Sequence, residues 1–284
     1  MTDRDAPSTK IGIIAAGGPM PFAVADSVVA SGRTPVLFAL KSICDASAVA
    51  RFHHHWISIG QLGRLFRLLR SESCRDVVFI GTMVRPALSE IRLDLATLRA
   101  MPLILTAFRG GDDHLLSGVG RIFEREGLRL CGVGDVASDL LMPAGCLTRR
   151  SPDADAQVDI AKGRAVLAAL GPFDIGQAVV VIDGHVIGVE DIEGTDGLLA
   201  RVSRLRAEGR IRAKVGRGVL LKAPKSTQDL RFDLPTMGSR TVDGVAFAGL
   251  GGIAIAAGQS ILADGQAMIA SADKADVFVV GLVP

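Results

Sequence analysis

The chain has 284 residues, of which 49% are hydrophobic, and its mean hydropathy is +0.37. This composition excludes a disordered chain, and the length is typical of two domains. The formal net charge is +2, only 4% of residues are aromatic and tyrosine is absent, so the sequence gives no support to general binding or stacking of nucleic acid. No nucleic-acid partner is expected.

Cellular location can be judged from three features. The four cysteines, Cys44, Cys74, Cys131 and Cys146, lack C-x-x-C spacing, so they predict neither a zinc site nor a disulfide framework and fit a reducing compartment. Residues 1–10 are polar and lack the apolar segment of a secretory signal. The longest apolar run, residues 245–257, contains glycines and is shorter than the roughly 20 residues that span a bilayer, so we interpret it as core. A cytoplasmic protein is expected, and peripheral contact with the inner membrane stays open.

The first part of the chain alternates short β-rich runs with helical stretches. This alternation predicts right-handed crossovers and an α/β fold, with an N-terminal Rossmann-like parallel-sheet domain for nucleotide binding over residues 10–140. Ligands of such sheets bind at the carboxyl ends of the strands. The predicted strands are 11–15, 35–40, 55–59 and 77–80, and the predicted helices are 22–31 and 62–71.

Residues 141–155 contain Pro143, Gly145 and Pro152 and are interpreted as a linker. A C-terminal catalytic α+β domain is predicted over residues 156–284. Asp183-Gly184 and Asp264-Gly265 each predict a β-hairpin. The predicted strands are 177–182, 186–190, 261–263, 267–270 and 277–280, and the predicted helices are 155–170, 198–208 and 242–250.

Two candidate binding motifs end strands of the first domain. Gly17 and Gly18 lie in A-G-G-P-M-P, where a glycine turn would present backbone N–H groups to a phosphate, although the G-x-G-x-x-G spacing is absent and a plain tight turn is the alternative. Gly81 and Arg85 lie in G-T-M-V-R-P after the fourth strand, where Arg85 would meet an anionic group or form a surface salt bridge.

Two further polar clusters lie in this domain. Asp112 and Asp113 follow glycines and open a predicted helix, so they would either bind ribose or metal, or simply cap the helix. Residues 53–55 are three histidines. Consecutive strand positions alternate faces, which disfavours a metal site there.

In the second domain, E-D-I-E-G-T-D follows the first hairpin. Thr195 would cap the next helix, whose N-terminus favours a phosphate, while Glu193 and Asp196 would share a divalent cation.

The most polar stretch is residues 222–238, K-A-P-K-S-T-Q-D-L-R-F-D-L-P-T-M-G. Its cations would neutralise phosphate while a carboxylate holds a metal or activates water, as cleavage of a phosphoanhydride requires. A solvated loop is the alternative, against which the prolines and glycine argue by fixing the backbone. The charged residues are Lys222, Lys225, Asp229, Arg231 and Asp233.

These motifs together carry a resemblance. D-I-G-Q-A-V-V-V at 174–181, E-G-T-D ending at Asp196 and the 222–238 segment resemble the UDP-2,3-diacylglucosamine pyrophosphatase family of the LpxI type. In the first domain, I-A-A-G-G-P-M-P, G-x-x-x-R-P and G-D-D follow the family's order, and M-P-x-G at 142–145 marks its interdomain junction. The match covers nearly the whole chain.

The resemblance implies an enzyme of lipid A biosynthesis that hydrolyses UDP-2,3-diacylglucosamine to 2,3-diacylglucosamine 1-phosphate (lipid X) and UMP. Water would attack the α-phosphorus, and Mg²⁺ or another divalent cation such as Mn²⁺ would be required. The family's essential aspartate corresponds to Asp233 and its E-G-T-D threonine to Thr195. The expected catalytic residues are Asp233, Thr195, Lys222, Lys225 and Arg231; the expected substrate-binding residues are Gly17, Gly18, Gly81, Arg85, Asp112, Asp113 and Gln228; the expected metal ligands are Asp233, Glu193 and Asp196.

Other functions stay open at this point. A nucleotide-sugar or lipid-binding protein on the same fold would bind without turnover. An NAD-dependent oxidoreductase is disfavoured by the missing G-x-G-x-x-G motif. The acyl chains are expected against an apolar surface such as residues 245–257, and a homodimer is a guess from frequency alone.

Overall fold

The computed structural model describes residues 9–82, 92–108, 112–173, 175–225, 228–232 and 234–283, excluding the side chains of 104–108 and 112–117. The chain forms two compact units, Met1–Asp139 with Asp229–Asp233, and Leu140–Gln228 with Leu234–Pro284. The first contains a parallel five-stranded sheet and the second a mixed sheet covered by helices. The predicted fold class, a Rossmann-like domain followed by an α+β domain, is confirmed.

The first unit is a parallel sheet flanked by helices, as the alternation of elements predicts. Its strand order is β3-β2-β1-β4-β5. The strands are β1 (Lys10–Ala15), β2 (Thr34–Leu40), β3 (His54–Ile57), β4 (Asp76–Ile80) and β5 (Arg129–Cys131), and the helices are α1 (Met20–Ala30), α2 (Ala46–Val49), α3 (Leu62–Ser71), α4 (Leu95–Phe108), α5 (Asp112–Arg125) and α6 (Val133–Val136).

The order of the strands reverses at β1. The chain adds β2 and β3 on one side of β1, then crosses to place β4 on the other side. The loops leaving β1 and β4 therefore lie at the switch point of the strand order, which is the position where open α/β sheets bind ligands. Gly17 and Gly18 follow β1 and Gly81 follows β4, so the fold brings these sequence motifs to one edge.

An aromatic cluster fills one side of the first unit. Phe123 on α5 meets Phe66 and Phe79 edge to face, with ring centroids 5.0 and 4.9 Å apart. Phe232, from the far end of the chain, packs on Phe79 at 5.4 Å. Buried aromatic pairs contribute free energy beyond their area. This packing explains why residues 229–232 belong to the first unit although they lie far away in sequence.

The second unit has a six-stranded mixed sheet, in the order β6-β13-β11-β9-β7-β8, and a two-stranded parallel sheet, β10-β12. The strands are β6 (Gly145–Cys146), β7 (Ala178–Ile182), β8 (His185–Val189), β9 (Val219–Lys222), β10 (Thr236–Met237), β11 (Gly252–Ala256), β12 (Ile261–Leu262) and β13 (Phe278–Leu282), and the helices are α7 (Ala154–Leu170), α8 (Gly194–Ala207), α9 (Ser239–Phe247) and α10 (Gly265–Lys274).

Side chains of the large sheet alternate between two apolar layers. Val179, Val181 and Leu221 pack with α7 on one face. Val180 and Leu220 pack with α8, α9 and α10 on the other. Because neighbouring residues on a strand point to opposite faces, Lys222 belongs to the second layer, two residues beyond Leu220. The sheet thus places a lysine at the end of β9, on its buried α8 side.

One of the two predicted hairpins is confirmed. Asp183 and Gly184 join β7 to the antiparallel β8, with φ angles of +47° and +76°. Positive φ at both central residues is the requirement of a type I′ turn. The buried carboxylate of Asp159 on α7 accepts hydrogen bonds from the amides of Asp183 and Gly184, at 3.1 and 2.6 Å, and fixes the turn.

The second predicted hairpin is wrong. Asp264 has a φ of +51°, but the chain then enters α10 and not a strand, while β12 before it pairs in parallel with β10. Residues 267–270, predicted as a strand, are helical. Met268 and Ala272 are buried at i, i+4 spacing, which buries one stripe of a helix against the core.

The apolar run 245–257 forms the end of α9, a turn and β11, and its interpretation as core is confirmed. Val245, Leu250, Ile253 and Ile255 are buried. The expectation that this run offers a surface to acyl chains is therefore wrong, apart from Phe247, which is 81% exposed. Among the described residues, every helix is too short or too polar to cross a bilayer.

Residues 145–150 pack on the second unit. β6 pairs with β13, the amide of Arg149 donates to Asp273 at 2.8 Å, and Arg150 donates to the carbonyl of Gly216 at 2.9 Å. These bonds connect the segment to β13, α10 and the loop before β9. This part of the predicted linker is structured.

A buried carboxylate on β4 generates a stability prediction. Asp76 accepts from Arg129 at 2.8 and 2.6 Å and from Arg33 at 2.9 Å, and its side chain is 3% exposed. Asp76→Ala leaves both guanidinium groups without this carboxylate, so we expect a loss of about 3 kcal/mol in the free energy of unfolding of the first unit. Urea unfolding followed by circular dichroism measures it.

The matched control is Asp26→Ala, which removes the exposed ion pair between Asp26 and Arg51. Exposed pairs contribute less than about 1 kcal/mol, so this variant should unfold close to the parent midpoint. Equal losses in the two variants would contradict the role given to Asp76.

Candidate active site

At the carboxyl edge of the first sheet, the ends of β1 and β4 are joined. Gly17 and Thr82 exchange two backbone hydrogen bonds, each 2.9 Å long. Gly81 has a φ of +114°, and a Cβ atom there would lie 2.7 Å from the carbonyl oxygen of Gly17, so only glycine fits. The amide of Gly17 is used by this bridge, contrary to the expectation that it faces a phosphate.

Several expected site residues lie outside the described part of the chain. These include Arg85 and Asp233, and the side chains of Asp112 and Asp113, whose backbone opens α5. Their assignments stay predictions. Gly18 is described, with a φ of +85°.

A chain of buried hydrogen bonds runs through the second unit. The amine of Lys222 donates to the hydroxyl of Thr195 at 3.0 Å and to the carbonyl of Thr236 at 3.2 Å. The Thr195 hydroxyl donates to Oε1 of Glu190 at 2.8 Å, and Oε2 of Glu190 accepts from the amide of Gln177 at 2.9 Å. Lys222, Thr195 and Glu190 are each at most 9% exposed. Two of the expected catalytic residues are thus in direct contact.

Burial makes this hydrogen-bond chain energetically demanding. A buried ammonium and a buried carboxylate both lose hydration, and polar groups in such surroundings must be satisfied by hydrogen bonds. The Thr195 hydroxyl satisfies both at once, because it accepts from Lys222 while donating to Glu190. The lysine amine is consequently held at a fixed position, linked to the turn after β8, the first turn of α8 and β10.

The predicted capping role of Thr195 is wrong. Glu193 occupies the N-cap position of α8 and makes no side-chain cap bond. The hydroxyl of Thr195 instead points to Glu190 and Lys222. The tertiary network uses this hydroxyl in place of the local backbone.

The two other carboxylates of this turn are paired with arginines. Glu193 lies 2.7 Å from Arg201, and Asp196 lies 2.5 Å from Arg240. A cation that used both would have to displace or share these partners. Among the described residues, the side chains that lie close enough together to share a metal ion are His53, His55 and Glu72, and they belong to the first unit. The metal role of Glu193 and Asp196 stays a prediction.

Lys225 and Gln228 are joined by two hydrogen bonds. The side-chain oxygen of Gln228 accepts from the amide of Lys225 at 3.0 Å, and the amide of Gln228 donates to the carbonyl of Lys225 at 3.1 Å. Gln228 is buried, at 8% exposure. Its side chain thus holds the backbone of the lysine in place.

Arg231 is paired inside the first unit. It donates to Asp229 at 3.0 and 2.8 Å and to Glu124 on α5 at 2.9 Å. Hydrogen bonding from this guanidinium lowers the pKa of Asp229, and the two carboxylates raise the pKa of Arg231. With two carboxylates on one guanidinium, Arg231 is bound into the packing of residues 229–232 on the first unit.

Glu190 is a site residue that the sequence did not predict. It stands first in a run with three other carboxylates, and composition alone does not distinguish them. Its position gives a signal, because it follows directly on the apolar strand β8, where a side chain is carried towards the core. Gln177 was also missed. Its side-chain oxygen is buried and has no hydrogen-bond partner in the described structure, as is also true of Arg201 Nε and Ser260 Oγ.

A cavity of about 230 Å³ opens in the second unit at the carboxyl ends of β9, β11 and β13. Apolar side chains form most of its lining, with Arg164 on α7 and Lys222 at the end of β9 as cations. The lining residues include Leu167, Ala168, Leu221, Ala223, Ala256 and Leu282.

Comparisons with known proteins agree on one family. The family models described as LpxI N-terminal domain and LpxI C-terminal domain match residues 10–140 and 143–280. A protein of Caulobacter vibrioides named UDP-2,3-diacylglucosamine pyrophosphatase LpxI is 40% identical over 275 residues, covering 97% of this chain and 98% of the relative.

Among solved structures, one of glycinamide-RNase-transformylase T from Mycobacterium tuberculosis covers 63% of this chain and 43% of its own, with 13% identity and a TM-score of 0.23. A likeness at that level bears on neither fold nor function. The two domain models and the nearly full-length relative decide the matter: the chain belongs to the LpxI family, and it is an enzyme, a hydrolase.

Proposed function

We propose that this chain hydrolyses UDP-2,3-diacylglucosamine in lipid A biosynthesis and releases UMP and 2,3-diacylglucosamine 1-phosphate (lipid X). The observation that carries the proposal is the 40% identity over 97% of the chain to a relative named for the pyrophosphatase activity on this substrate. The oxygen of water would bond to the α-phosphorus. The bond from that phosphorus to the bridging oxygen breaks, and the bridging oxygen leaves with lipid X.

The buried chain through Lys222 supports a role in charge neutralisation. A cation fixed before the reaction starts stabilises charge that develops on the leaving phosphate without reorganising. Lys222 has this property, since its amine is held by Thr195 and the carbonyl of Thr236. Lys225 supplies a second amine from the turn pinned by Gln228. In this proposal Thr195 acts by placing Lys222.

Mg²⁺ or Mn²⁺ fits the donor chemistry of the proposed ligands. Asp233, Glu193 and Asp196 offer carboxylate oxygens, which hard divalent cations prefer. The buried amide oxygen of Gln177, which has no hydrogen-bond partner in the described structure, is a further oxygen directly before β7. When bound, the cation would supply positive charge against the diphosphate. Asp233 would hold it or orient the attacking water, as the resemblance of R-x-D-L-P implies.

The remaining substrate groups are assigned by chemistry. We place the nucleotide at the carboxyl edge of the first sheet, with Gly18, Gly81, Arg85 and Asp112, because this edge is the switch point of the strand order. Part of an acyl chain would occupy the apolar cavity at the ends of β9, β11 and β13. Contact with the inner membrane and a homodimer stay predictions.

The first test changes Asp233. Asp233→Asn should abolish UMP release and leave folding intact, and removal of divalent cations by EDTA should have the same effect on the parent enzyme. Chromatography that separates UMP from UDP follows the reaction. In ¹⁸O-water the label should enter UMP, because attack falls on the α-phosphorus.

The control is Asp191→Asn, an exposed carboxylate of the E-D-I-E-G-T-D turn. It should turn over like the parent. Full activity of Asp233→Asn, or ¹⁸O found only in lipid X, would refute the assignment of the aspartate or of the attacked phosphorus, respectively.

The second test changes Lys222. Lys222→Met keeps the aliphatic stem and removes the charge, so we expect kcat to fall about 10²-fold or more, with a smaller change in KM. Steady-state kinetics of UMP release measure both constants. Lys162→Met removes an exposed lysine of the same unit and should leave both unchanged. A rise in KM with kcat preserved would show that Lys222 only binds.

The third test separates the hydroxyl of Thr195 from its volume. Thr195→Val removes the bridge between Glu190 and Lys222 and should lower kcat at least about tenfold, together with the thermal stability. Thr195→Ser retains the hydroxyl and should recover most of kcat. Equal rates in the two variants would exclude a positioning role for the hydroxyl.

A further inference from the structure

A cluster of two histidines and a glutamate lies at the amino-terminal edge of the first sheet. His53 immediately precedes β3, the edge strand, and His55 lies within it. The alternation of faces along a strand separates only His54, whose ring bonds the carbonyl of Phe52 and meets Trp56. His53 and His55 are two residues apart and share one face.

The three side chains converge on one atom. Nε2 of His53 and Nε2 of His55 each lie 2.8 Å from Oε1 of Glu72, the C-cap residue that directly follows α3. All three ligand atoms lie within 4.8 Å of one another. The rings are 5.3 Å apart and nearly perpendicular, so both nitrogens point at the carboxylate from different directions.

Surrounding contacts hold this arrangement. The His55 ring stacks on Phe38 of β2 at 5.6 Å, and the amide of Glu72 donates to the carbonyl of Leu68 at 3.0 Å. Lys10 binds the other carboxylate oxygen, Oε2, at 3.2 Å. Hydrogen bonds from His53 and His55 hold the pKa of Glu72 at about 2, so the carboxylate is ionised at neutral pH. The His53 side chain is 58% exposed, so the cluster is open to solvent.

We propose that His53, His55 and Glu72 bind a Zn²⁺ ion through the two Nε2 atoms and Oε1. Two imidazoles and one carboxylate are a ligand set of zinc, which leaves a fourth position for water. Zn–N and Zn–O bonds of about 2.0–2.1 Å place tetrahedral ligand atoms about 3.3 Å apart, so each nitrogen moves away from Oε1 by roughly 0.5 Å. The imidazoles bind as neutral rings, and any proton on Nε2 is released or moved to Nδ1.

The position separates this ion from the hydrolytic chemistry. Lys10 begins β1 and His54 begins β3, so the cluster lies at the amino ends of the strands, whereas Gly17 and Gly81 follow their carboxyl ends. The donors also differ, since imidazole selects transition metals and carboxylate oxygens alone suit Mg²⁺. The zinc ion would connect the edge strand β3 to the end of α3 and stabilise the first unit.

The test uses the full chain without a polyhistidine tag, stripped of metal, with Zn²⁺ titrated against a chromophoric chelator in excess Mg²⁺. The parent should bind one equivalent of zinc that His53→Ala and His55→Ala lose, or bind at least about 100-fold more weakly. His54→Ala, on the same strand and the opposite face, should retain it. Zinc should also raise the melting temperature of the parent and of His54→Ala by at least about 2 °C, and leave that of His53→Ala unchanged.

Each result bears on the proposal. Because the His53 side chain is largely exposed, its variant keeps the fold, and circular dichroism checks this. Equal zinc stoichiometry and affinity in the parent and all three variants would overturn the site, as would a loss confined to His54→Ala. Neither outcome bears on the proposed pyrophosphatase activity, because that activity is measured separately with UDP-2,3-diacylglucosamine.

Discussion

The second unit depends on the need to satisfy a buried lysine. Lys222 sits on the core face of β9 because strand alternation carries its side chain inward after Leu220. The lysine amine donates hydrogen bonds to the hydroxyl of Thr195 on α8 and to the carbonyl of Thr236 on β10, and the hydroxyl donates in turn to Glu190. A single threonine therefore satisfies two charged groups that would each be costly to leave buried without a partner. Elements distant in sequence are thereby joined at one point.

The first unit depends on close backbone approach. β1 and β4 pair in parallel up to Ala15 and Ile80, and two residues beyond this pair Gly17 and Thr82 form an isolated antiparallel bridge. A side chain at Gly81 would collide with the carbonyl of Gly17. The glycines of both motifs thus have a structural reason that is independent of any ligand. A nucleotide at this edge would have to use the groups that this bridge leaves accessible.

The sequence predicted the parallel sheet well because a buried strand is an apolar run that a helix must follow, and residues 11–15 and 35–40 show that pattern without ambiguity. It failed at Asp264-Gly265, where a turn signal precedes a helix. The dipeptide permits a positive φ, but the apolar spacing of Met268 and Ala272 decides that the next element is a helix. It also gave Thr195 a local role, since a capping residue is recognised from its neighbours whereas the bond to Lys222 joins residues 27 apart. Contacts of that kind have no short-range signal.

The charges of residues 222–238 illustrate the same limit and sharpen the chemistry. Residue types alone suggested three interchangeable cations around a diphosphate. In the folded chain Arg231 is engaged by Asp229 and Glu124 and belongs, with Phe232, to the packing of the first unit, whereas Lys222 and Lys225 belong to the second. The Arg231 side chain is still 41% exposed, but its hydrogen bonds to Asp229 and Glu124 occupy N–H donors that a phosphate would otherwise use. In the proposed reaction, neutralisation of the leaving phosphate would fall first to the lysines, because Arg231 is bound to Asp229 and Glu124 within the first unit. The catalytic role expected of Arg231 stays a prediction.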